Sequence, residues 1–210
     1  PQWAEAAGEA GEPDDFVDWI LRLVRVRRTV GDLAMGASLV KGLCDSLAAG
    51  TGAVGDILTT LKALPAYAGT PLHGRVFAEV LGVDTDLVAQ RLADIAVRLA
   101  TPPGSSLRWG LSPHAPYTLT AATLAQAVAF AGEHRLPLAM HWAETAEEMA
   151  FLAAGQGPLA ERLYPAAGWP CPRLPLSAEM PVTMMAGAGG LLIHGTHLRD
   201  DQIAGIARSG

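Results

Sequence analysis

The sequence predicts an α/β fold in which parallel strands alternate with helices. Short apolar runs recur along the chain, and longer segments with helical periodicity separate them. Several of these runs end in an ionisable residue, as strands of a parallel sheet often do at a functional edge. The 210 residues are 50% hydrophobic and 17% charged, a composition typical of a globular domain with a sizeable core.

The order of the elements predicts five strands, each followed by a connection long enough for a right-handed crossover. We expect the strands at residues 52–57, 75–81, 107–112, 137–141 and 190–194. We expect helices at residues 16–28, 32–49, 58–68 (with a break at Pro65), 86–99, 120–134, 144–155 and 200–208. A proline-rich stretch from Gly157 to Pro181 is predicted to be a long irregular excursion.

Five such units fit either an open doubly wound sheet or part of a (β/α)8 barrel. No phosphate-binding glycine motif follows any of the strands, which disfavours the nucleotide-binding sheets. A complete barrel needs about 250 residues, more than this chain has.

Composition excludes several partners. The net charge is −6 and no basic stripe is present, so we expect no nucleic acid. No apolar run approaches the ~20 residues that span a bilayer, and no signal peptide is visible, so we expect no membrane and a cytoplasmic location. Cys44 and Cys171 lie far apart and are predicted to be two reduced thiols.

Histidines stand at the ends of three successive predicted strands: His114, His141 and His194. Parallel strands place their carboxyl ends on one rim, so these side chains are expected to meet there. A single strand-end histidine is more often structural. Three in consecutive units favour a shared site.

The residue types at this rim suit metal-assisted chemistry. A neutral imidazole is a good zinc ligand, and a nearby carboxylate can move protons to and from an activated water. His141 suits the ligand role, and Glu144 suits the proton shuttle. His194 is a candidate for binding the metal, orienting the water or stabilising developing charge. His114 lies in a proline-rich turn, which suits contact with a substrate.

Two further residues are candidates for substrate binding. Glu79 lies near the end of the second predicted strand, and its alternative role is polar support. Trp142 lies between His141 and Glu144, and its alternative role is packing. The other tryptophans are predicted to pack in the core: Trp3, Trp19, Trp109 and Trp169.

Three stretches resemble the amidohydrolase superfamily, specifically its aminohydrolases and chlorohydrolases acting on heterocyclic rings. They are residues 110–118 (GLSPHAPYT), residues 140–145 (MHWAET) with Glu147 and Glu148, and residues 192–198 (LIHGTHL). The segment ending at residues 79–82 (EVLG) is similar to a subgroup of these deaminases and chlorohydrolases. Together the similar segments cover nearly the whole chain.

The resemblance implies one partial (β/α)8 barrel domain over residues 1–210, with about strands two to six present. It also implies one divalent metal, zinc, with iron as the alternative. His141 would be the metal ligand, Glu144 the acid/base acting on a ring nitrogen, and His194 a contact to the activated water. His114 would contact the substrate.

The implied reaction is hydrolytic deamination of an amino-substituted purine or related heterocycle. Hydrolytic dechlorination, cyclic-amide hydrolysis and a non-catalytic barrel remnant remain alternatives. The expected partner is a small heterocyclic molecule, and a homodimer is left open for the full-length protein. The exact substrate, the leaving group and the metal's identity are not decided by these residues.

Two features of the resembled family are absent from this sequence: an H-x-H pair on the first strand and an aspartate on the eighth. We interpret this as truncation at both ends, because the retained motifs are intact. A catalytic zinc usually has three protein ligands. The isolated chain is therefore expected to be inactive and to bind metal poorly.

Overall fold

A parallel sheet forms the centre of the fold in the computed structural model, which describes residues 11–170, residue 185 and residues 190–209. The strands, in order across the sheet, are β1 (Ala53–Leu58), β2 (His73–Val80), β3 (Leu107–Pro113), β4 (Leu138–Trp142) and β5 (Gly190–His194). A doubly wound sheet would reverse its strand order at a switch point, and this sheet does not. The strands instead curl into a half-barrel, so the predicted partial (β/α)8 architecture is confirmed.

Helices connect and flank these strands. They are α1 (Phe16–Thr29), α2 (Asp32–Ala48), α3 (Thr85–Arg98), α4 (Ala121–His134), α5 (Ala146–Ala154), α6 (Tyr164–Ala167) and α7 (Asp200–Ser209). Shorter turns of 3₁₀-helix occur at Leu61–Tyr67 and Pro116–Thr118, and a π-turn at Leu159–Leu163. The helix predicted at residues 58–68 is therefore a 3₁₀-helix. Pro65, inside it, lacks the N–H that a continuing α-helix would use.

Capping side chains fix where several helices begin. The Asp15 carboxylate accepts a hydrogen bond from Asp18 N at 2.8 Å and starts α1. Thr120 starts α4 through a capping box with Thr123. Thr145 Oγ1 accepts from Glu148 N at 3.2 Å and starts α5. Because Thr145 is the cap, Glu144 lies outside the helix, on the loop that follows β4.

The apolar residues form two clusters. One lies between the sheet and the helices that cover it, and includes Val76, Leu111 and Met140 of the strands with Leu92 of α3. The second lies at the carboxyl end of the sheet and joins α1 to the loops there; it includes Val17, Tyr117, Trp142, Phe151 and Leu163. The second cluster therefore fixes the parts of the chain that surround the histidine-bearing rim.

Phe77 and Gly110 are register partners on β2 and β3. A Cβ atom added to Gly110 would lie 2.4 Å from Phe77 Cδ1, well inside van der Waals contact. Only glycine therefore allows the Phe77 ring to occupy its place between the two strands.

Some sequence expectations concern residues that the structure does not describe: Trp3, Cys171 and residues 171–181 of the proline-rich stretch. The described beginning of that stretch is helical rather than irregular, with the π-turn and α6 over residues 159–167. Cys44 is exposed and has a free thiol. Among the described helices, none combines the length and the apolar character required to span a membrane.

Candidate active site

The three strand-end histidines meet at the carboxyl rim of the half-barrel, as the parallel arrangement predicts. His141 Nδ1 lies 3.1 Å from His194 Nε2, and the two rings stack with centroids 5.2 Å apart. The His114 ring lies edge-on to His141 with a centroid distance of 5.3 Å. The rings therefore form one contiguous imidazole surface.

Backbone hydrogen bonds hold the histidines in place. His141 N donates to His114 O at 2.9 Å, which ties the ends of β3 and β4 together. His194 ends β5 in register with Trp142, and Gly195 N donates to Trp142 O at 2.9 Å. His194 has a φ of +77°, in the left-handed region that non-glycine residues seldom adopt. Such conformations concentrate at functional sites.

Hydrogen bonding assigns the tautomer of His114. Thr118 Oγ1 donates to Ala115 O at 2.9 Å and lies 3.0 Å from His114 Nδ1. Because the hydroxyl has one hydrogen, it accepts from a protonated Nδ1. The Nε2 atom is then an acceptor, and it lies 4.0 Å from Glu79 Oε1. Burial lowers the pKa of His114 to about 4, so this ring is neutral at pH 7.

His141 is also neutral at pH 7. Burial, and then the neighbouring His114 and His194, lower its pKa to about 4, while the charge of Glu79 acts in the opposite direction. A neutral imidazole has a free lone pair, so His141 meets the requirement for a metal ligand.

Glu144 projects from the loop after β4. Its Oε1 lies 3.6 Å from His194 Nε2, and its side chain is 27% exposed. The preceding residue, Ala143, is left-handed, with a φ of +54°. Glu148 accepts from Ala143 N at 3.2 Å and from Glu144 N at 2.9 Å. Burial raises the pKa of Glu148 to about 7, although these backbone donors lower it.

Glu79 occupies the opposite side of the rim and is 7% exposed. Burial raises the pKa of its carboxyl group, and a hydrogen bond with Thr59 and the charge of Arg27 oppose that shift. Glu79 therefore lies within reach of any group that binds beside His114.

A cavity of about 690 Å³ covers these residues. Its polar lining includes Glu79, His114, His141, Glu144 and His194, together with Thr59, Thr118 and the arginines Arg25, Arg27 and Arg28 at the end of α1. Its apolar wall comes from α1 and from the segment around α6, and includes Phe16, Trp19, Ile20, Leu23, Leu163 and Trp169. An ion pair between Asp15 and Arg162 links these two parts of the wall. The cavity thus combines an apolar wall with a few convergent polar groups, as small-molecule sites do.

The tryptophans only partly occupy the places predicted for them. Trp142 does not line the cavity, because its side chain is fully buried in the second apolar cluster. This position agrees with the alternative role of packing, and a contact between Trp142 and substrate stays an untested prediction. Trp19 and Trp169, predicted to pack in the core, do line the cavity. Trp109 packs as predicted and donates from Nε1 to Thr101 O at 2.8 Å.

Two residues at the site were not assigned a role from the sequence. Tyr117 lines the cavity and meets His114 edge-to-face with ring centroids 5.9 Å apart. Thr118 binds the Nδ1 side of the same imidazole. The signal that could have found both is the turn at residues 113–118 (PHAPYT), where two prolines hold neighbouring side chains beside His114.

The imidazoles fit part of a zinc site. Two nitrogen ligands of a tetrahedral zinc ion lie roughly 3.3 Å apart, and His141 Nδ1 and His194 Nε2 are 3.1 Å apart. No cluster of three or more histidine, cysteine or carboxylate side chains with metal-binding geometry occurs within residues 11–170 and 190–209. These residues therefore supply fewer protein ligands than a catalytic zinc usually has.

Comparison with known proteins finds deaminases among the chains similar to this one. No protein-family model matches the chain. The chain is 29% identical over 214 residues to the aminodeoxyfutalosine deaminase of Deinococcus radiodurans, and the match covers 93% of this chain and 49% of that protein.

Solved structures show the same fold. The aminofutalosine deaminase of Helicobacter pylori superposes with a TM-score of 0.81 at 19% identity, over 94% of this chain and 48% of that one. It has also been solved in complex with methylthio-coformycin. Atrazine chlorohydrolase from Arthrobacter aurescens, complexed with zinc, superposes with a TM-score of 0.68 at 14% identity, over 95% of this chain and 47% of that one.

The resemblance to the aminohydrolases and chlorohydrolases of the amidohydrolase superfamily is therefore confirmed. The chain spans about half the length of the relatives it matches. These likenesses show the fold.

Proposed function

We propose that the chain forms the catalytic rim of a metal-dependent hydrolase that deaminates an amino-substituted purine or a related heterocycle. The observation that carries this proposal is the close grouping of His141, His194 and Glu144 below a largely apolar cavity. The names of the matched deaminases support the same reaction class.

His141 would hold the divalent metal. Zinc is preferred because the matched chlorohydrolase structure contains it, and iron is the alternative. When bound, a divalent metal lowers the pKa of a water toward ~7 and so supplies a nucleophile at neutral pH. The neutral state of His141 suits this role.

Glu144 moves protons in the proposed reaction. Its carboxylate accepts a proton from the attacking water and delivers it to a ring nitrogen of the heterocycle. The carbon–nitrogen bond to the exocyclic amine then breaks, and the amine leaves as ammonia with a second proton from the water. The products are the oxo-substituted heterocycle and ammonia, so atoms and charge balance.

His194 and His114 complete the arrangement. His194 Nε2 lies 3.6 Å from Glu144 Oε1, where it orients the water and stabilises charge that develops at the attacked carbon. His114 offers its Nε2 lone pair to an N–H group of the ring, and the Glu79 carboxyl group lies on the same side. The aromatic wall residues Trp19 and Trp169 suit the faces of a flat heterocycle.

Hydrolytic dechlorination is the second candidate, favoured by the zinc-bound atrazine chlorohydrolase among the matched structures. The same water attack would then expel chloride in place of ammonia. Release of ammonia from aminopurine nucleosides and of chloride from chlorotriazines therefore distinguishes the two reactions.

The test is Glu144→Gln in the complete, metal-loaded protein, because residues 1–210 alone are expected to be inactive. General acid/base groups contribute typically ~10²–10⁴-fold, so turnover should fall by that factor while metal content stays unchanged. Glu147→Gln, three residues along the same segment, is the matched control and should keep normal turnover. A Glu144→Gln variant with near-normal turnover would remove Glu144 from the mechanism.

A further inference from the structure

We propose that Glu148 is a positioning residue that holds Glu144 against His194. This inference rests on the proposed function, because it assigns Glu148 its importance through the proton transfer by Glu144. It concerns the turn between β4 and α5, which consists of residues 143–145.

The hydrogen bonds of Glu148 differ from those of an ordinary capping box. Thr145 and Glu148 have the spacing of that motif, and Thr145 Oγ1 accepts from Glu148 N at 3.2 Å. In a capping box the glutamate returns to the N–H of the cap itself. Here the carboxylate also reaches beyond the cap and accepts from Ala143 N at 3.2 Å and Glu144 N at 2.9 Å, in addition to its interaction with the Thr145 backbone.

The carbonyl groups of the same turn face another part of the site. Trp142 O accepts from Gly195 N at 2.9 Å, and Ala143 O accepts from His197 N at 3.0 Å. The loop after His194 therefore holds one side of the turn, and Glu148 holds the other. Together they fix the backbone from which Glu144 projects toward His194.

Helix stability alone does not account for this arrangement. Acidic residues favour a helix N-terminus, and Glu147 already supplies a half-buried charge in the first turn of α5. Glu148 is fully buried instead, where an ionised carboxylate is costly unless hydrogen-bonded. Burial raises its pKa to about 7. Glu148 is buried and accepts hydrogen bonds from the backbone N–H groups of Ala143 and Glu144. We infer that its role is to fix the backbone of this left-handed turn.

Loss of the carboxylate would leave the N–H groups of Ala143 and Glu144 without acceptors. The left-handed φ of Ala143 is unfavourable for a residue with a Cβ and would then lack its main support. The turn would relax, and the 3.6 Å separation between Glu144 Oε1 and His194 Nε2 would no longer be held. Small misplacements of a catalytic group can lower turnover by about 10²-fold.

The experiment compares Glu148→Gln and Glu148→Ala with Glu147→Gln in the full, metal-loaded protein. Two measurements are made: hydrogen exchange at the Ala143 and Glu144 amides, and kcat and KM for an aminopurine nucleoside. We expect exchange at both amides to rise about tenfold or more in Glu148→Ala. We expect kcat to fall about 10- to 100-fold in both Glu148 variants, with little change in KM. Glu147→Gln should change neither measurement.

A folded Glu148→Gln variant with wild-type kcat, or wild-type exchange at both amides in Glu148→Ala, would overturn the proposal. If Glu148→Ala does not fold, the isosteric Glu148→Gln variant carries both measurements, with exchange faster at one or both amides as the supporting result. If the wild-type protein hydrolyses no heterocycle, the proposed function fails. Hydrogen exchange then still decides whether Glu148 fixes the turn.

Discussion

His141 Nδ1 lies 3.1 Å from His194 Nε2, although 53 positions separate the two residues in the chain. The parallel pairing of β4 with β5 brings their ends together, with Trp142 opposite His194. At this distance one imidazole nitrogen can donate to the other, with the direction set by the tautomers. The two nitrogens are also about as far apart as two ligands of one tetrahedral zinc ion.

Residues 1–210 should bind zinc weakly. The described part of the chain brings two imidazoles together, and affinity rises with the number of protein ligands. Elemental analysis of the purified chain after dialysis should find well below one zinc per molecule. His141→Ala should reduce binding further, whereas His73→Ala, at an exposed position of β2, should not. Stoichiometric zinc in the wild-type chain would contradict this expectation.

Thr118→Val should release His114 from its assigned tautomer. Valine keeps the volume but removes the oxygen that accepts from Nδ1–H. Nitrogen NMR of labelled histidine should show a protonated Nδ1 and a bare Nε2 in the wild-type protein and a mixture in Thr118→Val. Thr118→Ser, which keeps the hydroxyl, should preserve the wild-type spectrum. A protonated Nε2 in the wild-type protein would show that the tautomer is assigned wrongly.

Stability should depend on pH through Glu148. Its folded-state pKa of about 7 is above the ordinary value of 4.5, so the folded protein binds this proton more tightly than the unfolded chain does. The resulting stabilisation is complete below pH 4.5 and is lost as the pH rises through 7. Between the low-pH and high-pH limits, the contribution of Glu148 to the free energy of unfolding changes by ~3 kcal/mol.

The measurement is the free energy of urea unfolding of wild type minus that of Glu148→Gln, followed from pH 4.5 to 8. The subtraction removes the opposite contributions of His114 and His141, whose lowered pKa values favour folding at higher pH. Glu144, which adjoins Glu148, remains in both proteins. A difference that does not change with pH would show that Glu148 titrates normally.

Gly110→Ala should destabilise the fold by roughly 1–3 kcal/mol. The added Cβ would lie 2.4 Å from Phe77 Cδ1 and 3.1 Å from Pro137 O, so the ring or the strands must move. Gly132→Ala is the matched control, because Gly132 lies in α4 with nothing within 4 Å of an added Cβ. That variant should be neutral or more stable, by up to about 1 kcal/mol. Equal unfolding midpoints for the two variants would contradict the packing argument.

The sequence was sufficient to predict the strands, their parallel arrangement and the common rim of the histidines. Those features follow from local patterns: apolar runs and the polar residues at their ends. The starts of α1 and α4 were also predicted to within a residue.

The side chains that face the cavity were harder to predict. Whether a tryptophan lines a cavity depends on contacts between distant segments, which leave Trp142 buried in the second cluster and Trp19 at the cavity. The left-handed turn at Ala143 has no glycine to mark it in the sequence. The reach of Glu148 past its own helix cap follows from that turn and was equally hidden.

The backbone pairing between β3 and β4 is short, and it lies directly below the histidine-bearing rim. Leu111 pairs with Leu138 as the one register pair of these strands, and backbone bonds from Leu111 N to Pro137 O and from His141 N to His114 O close the join at its two ends. Pro113, between them, has no N–H to donate. The β3–β4 pairing therefore has one register pair, against seven between β2 and β3. The bond from His141 N to His114 O fixes the spacing of the two strand ends at the rim, where a bound ring would be held.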